Sequence, residues 1–449
     1  MTKPTAGTEP KPIAIAGYGA GDMANSMAFS TIGMFLLVYY TDVAGIPAAA
    51  AGTVLLLAGL FNAFTDILAG RVADRNYHRR MGKFRPFLLF GAIPLGLCVA
   101  MFHVPGLDPA GKIVYAYITY FAFCLAYSMV NVPYGALVGA MTRNPRSRAR
   151  LASARTIGGL ATTAILGVFV APLLGAGADL QGIFTTLTIG FAIAGTGLYL
   201  FCALSTREQL HQASPKLSLR QAGAALKGNT PLLVLCISSL LFMTSNVVTN
   251  TAKLFYLRDV LQRLDLFPIV ALAQVLITLT LAATAPRLVH RFGKRSIYVT
   301  GGLTSAAGGV LVFAAPTDLA WIALLGIFLA LAGAASVSIM VWALIADTVE
   351  YGEWKTGVRS DGINYSLLSA TRKIGMAFGG ALAAFALAWG GYQSGAAEQS
   401  ESAMFGIRVA AGLAPALAIA VAVAVMAWYR LTDRTHAELV ATIQGRPRV

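Results

Sequence analysis

Long apolar runs alternate with short polar breaks along the whole chain. Twelve runs read as candidate membrane helices, at about 13–40, 47–73, 86–105, 110–141, 150–176, 180–204, 230–258, 264–287, 296–315, 318–347, 362–390 and 404–431. About 20 apolar residues cover the hydrocarbon core, so several runs are long enough to tilt or to extend past the interface. The longest polar break, 205–229, follows the sixth run and contains Pro215 and an amphipathic stretch at 217–226. The pattern predicts an all-α membrane protein of twelve transmembrane helices in two six-helix halves, 1–204 and 230–431. A cytoplasmic central loop (205–229) joins the halves, and 432–449 forms a cytoplasmic tail.

The polar breaks differ in charge. Those after runs 2, 4, 6, 8 and 10 carry clusters of bases, such as Arg75, Arg79, Arg80, Lys83 and Arg85 after run 2, or Arg287, Arg291, Lys294 and Arg295 after run 8. The alternate breaks carry almost none, apart from Arg258 and Arg263 between runs 7 and 8. Lys and Arg stay on the cytoplasmic side, so both termini are expected in the cytoplasm, with the chain in a bacterial inner membrane. GRVADRNYHRRMGKFRP after run 2 is echoed by PRLVHRFGKRS after run 8, each with a Gly-Lys turn among bases. Two six-span halves joined by a cytoplasmic loop is the layout of the major facilitator fold, whose cargo sites lie near mid-membrane.

Composition agrees with a bilayer setting. The chain has 449 residues, 57% of them hydrophobic and only 12% charged, about half the charge of a soluble domain. Its net charge of +15 would suggest nucleic acid, but the bases sit in the connectors and set topology instead. Cys98, Cys124, Cys202 and Cys236 all lie inside apolar runs with no metal-type or CxxC spacing, and read as small core residues. The amino terminus shows no signal-peptide pattern. GxSxG, Walker A and HExxH runs are absent, and three of the five histidines, His78, His211 and His290, fall in connectors. An enzyme, a resident cofactor, a structural metal and direct ATP drive are therefore not expected.

Asp22 and Asp66 lie inside the apolar runs 13–40 and 47–73. A carboxylate at that depth costs a few kcal/mol and points to an ion, a proton or polar cargo. Asn62 and Asp66 are four residues apart and share a helical face, with Thr65 beside them. This group offers oxygens to a small cation such as Na⁺, or a carboxyl that binds a proton, whose neutral form hydrocarbon favours. The alternative is a structural acid paired with a base. Asp22 follows Gly19 and Gly21, with Asn25 and Ser26 one turn along. It reads as a cargo contact, the glycines letting substrate approach, or else as an interhelical hydrogen bond. Arg155, Arg372 and Lys373 are intramembrane bases, at least one of which is expected to meet Asp22, Asp66 or an anionic cargo. Arg155 suits a carboxylate clamp, unless it snorkels to the interface. The run YSMVNVPYG (127–135) brings Tyr127, Asn131, Pro133 and Gly135 together: hydroxyl and amide groups of the kind sugars need, a freed carbonyl and open space.

The chain resembles the glycoside–pentoside–hexuronide:cation symporters of the major facilitator superfamily, nearest to the glucuronide-carrying branch and more distantly the melibiose-carrying one. The stretches that carry the resemblance are YYTDVAGIPAAAAGT (39–53), GRVADR (70–75), GKFRPFLLFG (82–91), YSMVNVPYGAL (127–137), SRARLASAR (147–155) and the block 340–373, so it covers essentially the whole chain. It implies import of a glycoside with H⁺, Na⁺ or Li⁺. Asp22, Asn131, Gly135 and Arg155 match sugar-contacting positions, and Tyr127 joins them. Asn62 and Asp66 match the paired cation carboxylates, and Lys373 a lysine close to the cation. Asn62 replaces one of the two acids, which weakens a Na⁺ site and favours H⁺. Asn131 and Gly135 stand where the melibiose branch has Asp and Trp, which makes a roomier, less acidic pocket suited to a hexuronide. A small-molecule glycoside, a coupling cation and the bilayer are the expected partners, nucleic acid is not, and the carrier is expected to work as a monomer. The rivals are a neutral or Na⁺-coupled glycoside or pentoside symporter of the same fold, and a lysolipid-type carrier. The acids Asp74, Asp347, Glu350 and Glu353 are expected to latch the basic connectors.

Overall fold

A computed structural model describes residues 9–76, 78, 81–142, 144–175, 179–208, 228–356, 361–394, 396, 398–432, 435, 436, 438, 439 and 442. The side chain of Asp74, most of the central loop including 217–226, and most of the tail lie outside the described residues. Among the described residues, eleven helices are long and apolar enough to cross a membrane: α1 (Pro12–Val43), α2 (Ala48–Ala73), α4 (Pro109–Met141), α5 (Arg146–Leu174), α6 (Leu180–Ser205), α7 (Thr230–Val260), α8 (Leu264–Phe292), α9 (Lys294–Ala314), α10 (Ala320–Lys355), α11 (Gly362–Gly390) and α12 (Glu401–Trp428). α3 (Arg85–Met101) is a shorter apolar helix. It ends earlier than the expected 86–105, and a 3₁₀ turn at Leu89–Gly91 interrupts it. Pro94 offers no N–H to the carbonyl four residues back, and its ring crowds that carbonyl, which tightens the preceding turn. Among the described residues the only β-pairing is one bridge between His78 and Gly82.

The chain forms two compact units, Met1–Pro215 and Lys216–Val449. In the first, α1 is the most enclosed span. It packs against α5 and α6, while α2 packs on α4 and α3 on α4 and α6. Lipid tails are as apolar as leucine, so helices associate by close van der Waals approach, which small residues permit. A methyl at Gly19 would lie 2.8 Å from the carbonyl oxygen of Ala154, and one at Gly158 would strike the Gly19 carbonyl. At Gly21 it would lie 2.5 Å from the Tyr134 ring and 2.9 Å from Cys202 Sγ. The glycines before Asp22 therefore serve helix crossing. They are filled by protein and leave no approach for substrate, contrary to expectation.

In the second unit α7 holds the corresponding central place, against α11 and α12, and α9 packs on α10 and α12. α9 and α10 cross on two glycine pairs, Gly301 with Gly333 and Gly308 with Gly326, seven residues apart on each helix. Large side chains such as Phe64, Ile118, Ile193, Leu276 and Leu417 are exposed, as lipid-facing positions require.

The first helix of each unit ends alike. A π turn spans Tyr39–Val43 in α1 and Tyr256–Val260 in α7. Each is followed by a left-handed residue, Gly45 at φ 69° and Gln262 at φ 52°. Matching hydrogen bonds close the turns, Ile46 N to Tyr40 O at 2.8 Å and Arg263 N to Leu257 O at 2.8 Å. Each leading tyrosine ties its helix end to the end of the third helix of its unit. The Tyr39 hydroxyl accepts from Val104 N at 2.9 Å, and the Tyr256 hydroxyl donates to Val312 O at 2.8 Å. At the other face, the Gly-Lys turns of the sequence echo both take positive φ, 87° at Gly82 and 80° at Gly293.

The two bases that broke the charge alternation are each neutralised by a neighbour. Arg258 Nε lies 2.7 Å from Asp259, and Arg263 Nη2 lies 2.9 Å from Asp265. Two expected latch acids are engaged within the second unit: Asp347 accepts from Lys294 Nζ at 2.6 and 2.8 Å, and Glu350 contacts His436. Gly333→Val drives a branched side chain into the α9 backbone and should lower the thermal midpoint in detergent by several degrees, for a cost of about 1–3 kcal/mol. Gly197→Ala, which faces open space, should leave the midpoint unchanged.

Candidate functional site

The two intramembrane acids of the first unit have different partners. Asp22 of α1 meets Arg155 of α5, with Nε to Oδ1 at 2.8 Å. The carboxylate is largely covered, while the arginine side chain remains 46% exposed. Gly159, on α5 one turn beyond Arg155, gives the pair room: a methyl there would sit 3.1 Å from Asp22 Oδ2. The guanidinium lies 5.6 Å from the centre of the Tyr134 ring, which stacks on Tyr18 at 4.8 Å. Tyr134 donates its hydroxyl proton to the Tyr18 carbonyl at 2.6 Å, fixing this platform. Only Nε binds the acid, so one edge of the planar fork is anchored and the terminal nitrogens extend beyond it. Asn25, expected to extend the polar face around Asp22, turns instead to α6 and accepts from the Tyr199 hydroxyl at 2.7 Å. It is a structural amide.

Asp66, Asn62 and Thr65 of α2 gather around one hydroxyl of α4. Ser128 Oγ lies 2.6 Å from Asp66 Oδ1, 3.0 Å from Asn62 Oδ1 and 2.8 Å from Thr65 Oγ1. A serine hydroxyl has one proton, so Ser128 serves either Asp66 or Asn62 at any moment, never both. Thr65 is fully buried and also reaches the carbonyls of Asn62 at 2.9 Å and Cys124 at 3.3 Å. This cluster can hold a proton on its carboxyl, or present oxygens to a small cation. Among the described residues no group of three or more His, Cys, Asp or Glu side chains is placed to hold a metal ion.

The same stretch of α4 carries the remaining candidates. Tyr127 is buried and stacks between Phe29 and Phe123, at 5.6 and 5.3 Å. It lies within electrostatic range of Asp22, Arg155 and Asp66. Asn131 is half-buried, one turn past Tyr127. Pro133 sits inside the helix, and a methyl at Gly135 would meet nothing within 4 Å. The predicted residues Asp22, Arg155, Tyr127, Asn131 and Gly135, and the set Asn62, Thr65 and Asp66, thus belong to one unit. Lys373 is half-buried on α11 in the other unit. Its neighbour Arg372 stands 5.3 Å over the Trp342 ring, which stacks with Tyr365.

Ser128 lies in the YSMVNVPYG run, whose sequence signal rests on Tyr127, Asn131, Pro133 and Gly135. Its spacing gave the available signal, since Cys124, Ser128 and Asn131 share a helical face. The Tyr18–Tyr134 platform joins residues far apart in sequence and left no local pattern. Lys253 of α7 was also missed. It is an ionisable residue inside an apolar run, the same signal that marked Asp22 and Asp66.

The family model described as "MFS/sugar transport protein" matches residues 17–433. The glucuronide carrier protein homolog of Escherichia coli K12 is 42% identical over 440 residues, covering 97% of this chain and 96% of that one. A putative glycoside/cation symporter of the same organism is 32% identical over 425 residues, covering 93% and 91%. Among solved structures, a bacterial homolog of the human lysosomal transporter Spinster aligns with a TM-score of 0.69 at 14% identity, over 96% of this chain and 98% of its own. That likeness concerns the fold alone.

Ser128→Ala removes the hydroxyl that Asn62, Thr65 and Asp66 share. A lost hydrogen bond to a charged group costs about 1.5–3 kcal/mol. Ser128 donates to the ionised carboxylate, so its loss disfavours the charged form. If a proton drives uptake, the proton concentration giving half-maximal uptake should fall about tenfold or more, with protein folding retained.

Proposed function

The chain belongs to the family of MFS sugar transport proteins, and from that premise we propose that it imports an acidic glycoside, a glucuronide or other hexuronide, by symport with a proton. It is a multi-pass membrane transporter and not an enzyme. The relatives named as a glucuronide carrier homolog and as a glycoside/cation symporter support the cargo class and the coupling mode. The observation that carries the reading is the posture of Arg155. Asp22 holds it at Nε, and its terminal nitrogens project with the side chain 46% exposed. A planar fork so held binds a carboxylate through two parallel hydrogen bonds. Asp22 is then a positioning acid as well as a sugar contact. Tyr127 and Asn131 supply neutral polar groups for sugar hydroxyls, and the space at Gly135 takes the aglycone.

Asp66 is the proposed proton carrier. With Asn62 in place of a second acid, one formal charge remains beside the oxygens of Thr65 and Ser128. That suits a proton better than a hard cation, which gains most from multiple charged ligands. Lys373 is proposed as a further coupling residue on the resemblance alone. The arrangement of bases supports an inner-membrane protein with cytoplasmic termini, and a monomer is the working form proposed. One specific observation favours a neutral glycoside instead: Arg155 is already neutralised by Asp22, so the pair can serve as a neutral hydrogen-bonding unit for hydroxyls.

Uptake into vesicles under an imposed pH or Na⁺ gradient separates these readings. Glucuronide accumulation driven by the pH gradient and indifferent to Na⁺ is expected, and drive by Na⁺ alone overturns proton coupling. Asp66→Asn should abolish uphill uptake while sparing exchange, and a variant that still concentrates substrate removes Asp66 from the coupling role. Arg155→Ala should weaken glucuronide uptake about 10–100-fold, the loss of a charge-assisted pair worth about 1.5–3 kcal/mol, with a smaller effect on a neutral glucoside. Equal losses for both would favour the neutral-glycoside reading.

A further inference from the structure

We infer that Lys253 of α7 is the centre of an anion-binding subsite in the second unit, and that it takes an acidic group of the cargo during transport. The subsite rests on the proposal that the cargo is acidic.

Lys253 is 5% exposed. Its ammonium contacts Asn250 Oδ1 at 3.2 Å and Gln274 Oε1 of α8 at 3.4 Å, and the Phe267 ring covers it at 5.7 Å. Both bonds go to neutral amides and both are long for an ammonium, whose charge-assisted bonds run to about 2.7–2.9 Å. An ammonium carries three N–H donors. Two are met by these amides, and among the described residues the third has no acceptor and no carboxylate pairs with the group.

Carboxylates of the same unit are held elsewhere. Asp259 is held by Arg258, Asp265 by Arg263 and Asp347 by Lys294, while Glu350 contacts His436. The unit therefore pairs these acids and leaves a buried cation without one. Leaving a charge in that state costs several kcal/mol, and an apolar residue of similar volume would ordinarily be neutral or stabilising in its place. A structural role does not account for the charge, whereas an anion that arrives and leaves does.

The surrounding amides are built to face the cation. Asn250 donates from Nδ2 to the Asn246 carbonyl at 2.9 Å and to Asn246 Oδ1 at 3.2 Å, which turns its own Oδ1 toward Lys253. Asn246, Asn250 and Lys253 follow at spacings of four and three, so they line one face of α7. The amides solvate the ammonium when no anion is present, and one of them yields its place when a carboxylate binds. A compact ammonium imposes no planar fork, so the subsite takes carboxylate or sulfonate. That separates its selectivity from that of Arg155, which favours planar carboxylates.

The test uses full-length protein reconstituted in proteoliposomes, as wild type, Lys253→Gln and Lys253→Arg. Uptake of p-nitrophenyl β-D-glucuronide is compared with p-nitrophenyl β-D-glucoside, the latter read as uptake or as competition. Lys253→Gln should raise KM for the glucuronide at least tenfold and leave the glucoside within twofold. Lys253→Arg should recover most of the loss. The thermal midpoint of Lys253→Gln in detergent should hold or rise, because a lone buried charge has gone. An unchanged glucuronide KM, an equal loss for both glycosides, or a midpoint that falls by several degrees overturns the subsite. If wild type carries the glucoside and no glucuronide, the acidic-cargo reading fails and takes the subsite with it. If wild type carries the glucuronide and Lys253→Gln is unaffected, the subsite alone fails.

Discussion

Hydrocarbon offers no hydrogen bond, so every polar group inside a membrane span must find its partner within the protein. Most polar side chains here meet that demand locally and do nothing else. Thr31, Thr188, Thr196 and Thr371 each turn their hydroxyl onto the carbonyl four residues back. Asn25 joins α1 to α6, and Ser238 joins α7 to α9 and α12 through Tyr298 and the Ala422 carbonyl. Among the described residues, three polar groups stand out beyond such local satisfaction. They are the Asp22–Arg155 pair, the Ser128 cluster around Asp66, and the Asn246–Asn250–Lys253 face. The chemistry of a carrier resides in what local satisfaction leaves over.

The same demand shapes the helix ends. A π turn releases backbone groups that a regular helix would bond, and both π turns that close α1 and α7 compensate in the same way. Each is sealed by a left-handed residue and by a tyrosine reaching the end of the third helix. Gly45 takes that conformation without strain, whereas Gln262 takes it against its side chain. The first helix of each unit, the most enclosed, is thus fixed at one end by a device present twice. Each half carries a rigid frame on which polar side chains keep their positions.

Much of this was legible in the sequence because the signals are one-dimensional. Apolar run length gave eleven of the spans closely. α3 was read too long, since it ends at Met101 ahead of Pro105, whose ring disfavours helix in the residue before it, an end that hydropathy does not register. Spacing of four put Asn62 and Asp66 on one face, but their common partner is on α4, and no pattern along α2 points to Ser128. The pairing of Asp22 with Arg155 was among the expected meetings, because two opposite charges in apolar runs have few other choices. The glycines before Asp22 were misread. A small residue beside a functional acid signals either access or helix crossing, and only the neighbouring backbone of α5 decides. Lys253 carries a weaker sequence signal, because it sits five residues before Arg258, close to a charged connector where a base usually reaches water.

On the proposed reading, coupling needs no long relay within the first unit. Ser128 has one proton and two acceptors, 2.6 Å away at Asp66 and 3.0 Å away at Asn62. An ionised Asp66 claims that proton. A protonated Asp66 becomes a donor itself and releases Ser128 toward Asn62. The change falls on α4 between Tyr127 and Asn131, the two residues proposed to meet the sugar. One proton therefore alters the hydrogen bonding of the segment that cargo touches, and by reciprocity cargo on that segment must alter the affinity for the proton by the same factor. Arg155 donates its hydrogen bond to Asp22 of α1 and meets α4 at the Tyr134 ring, one turn beyond the Tyr127–Asn131 segment. On this reading α4 answers to protonation, while α1 and α5 hold the cargo's charge.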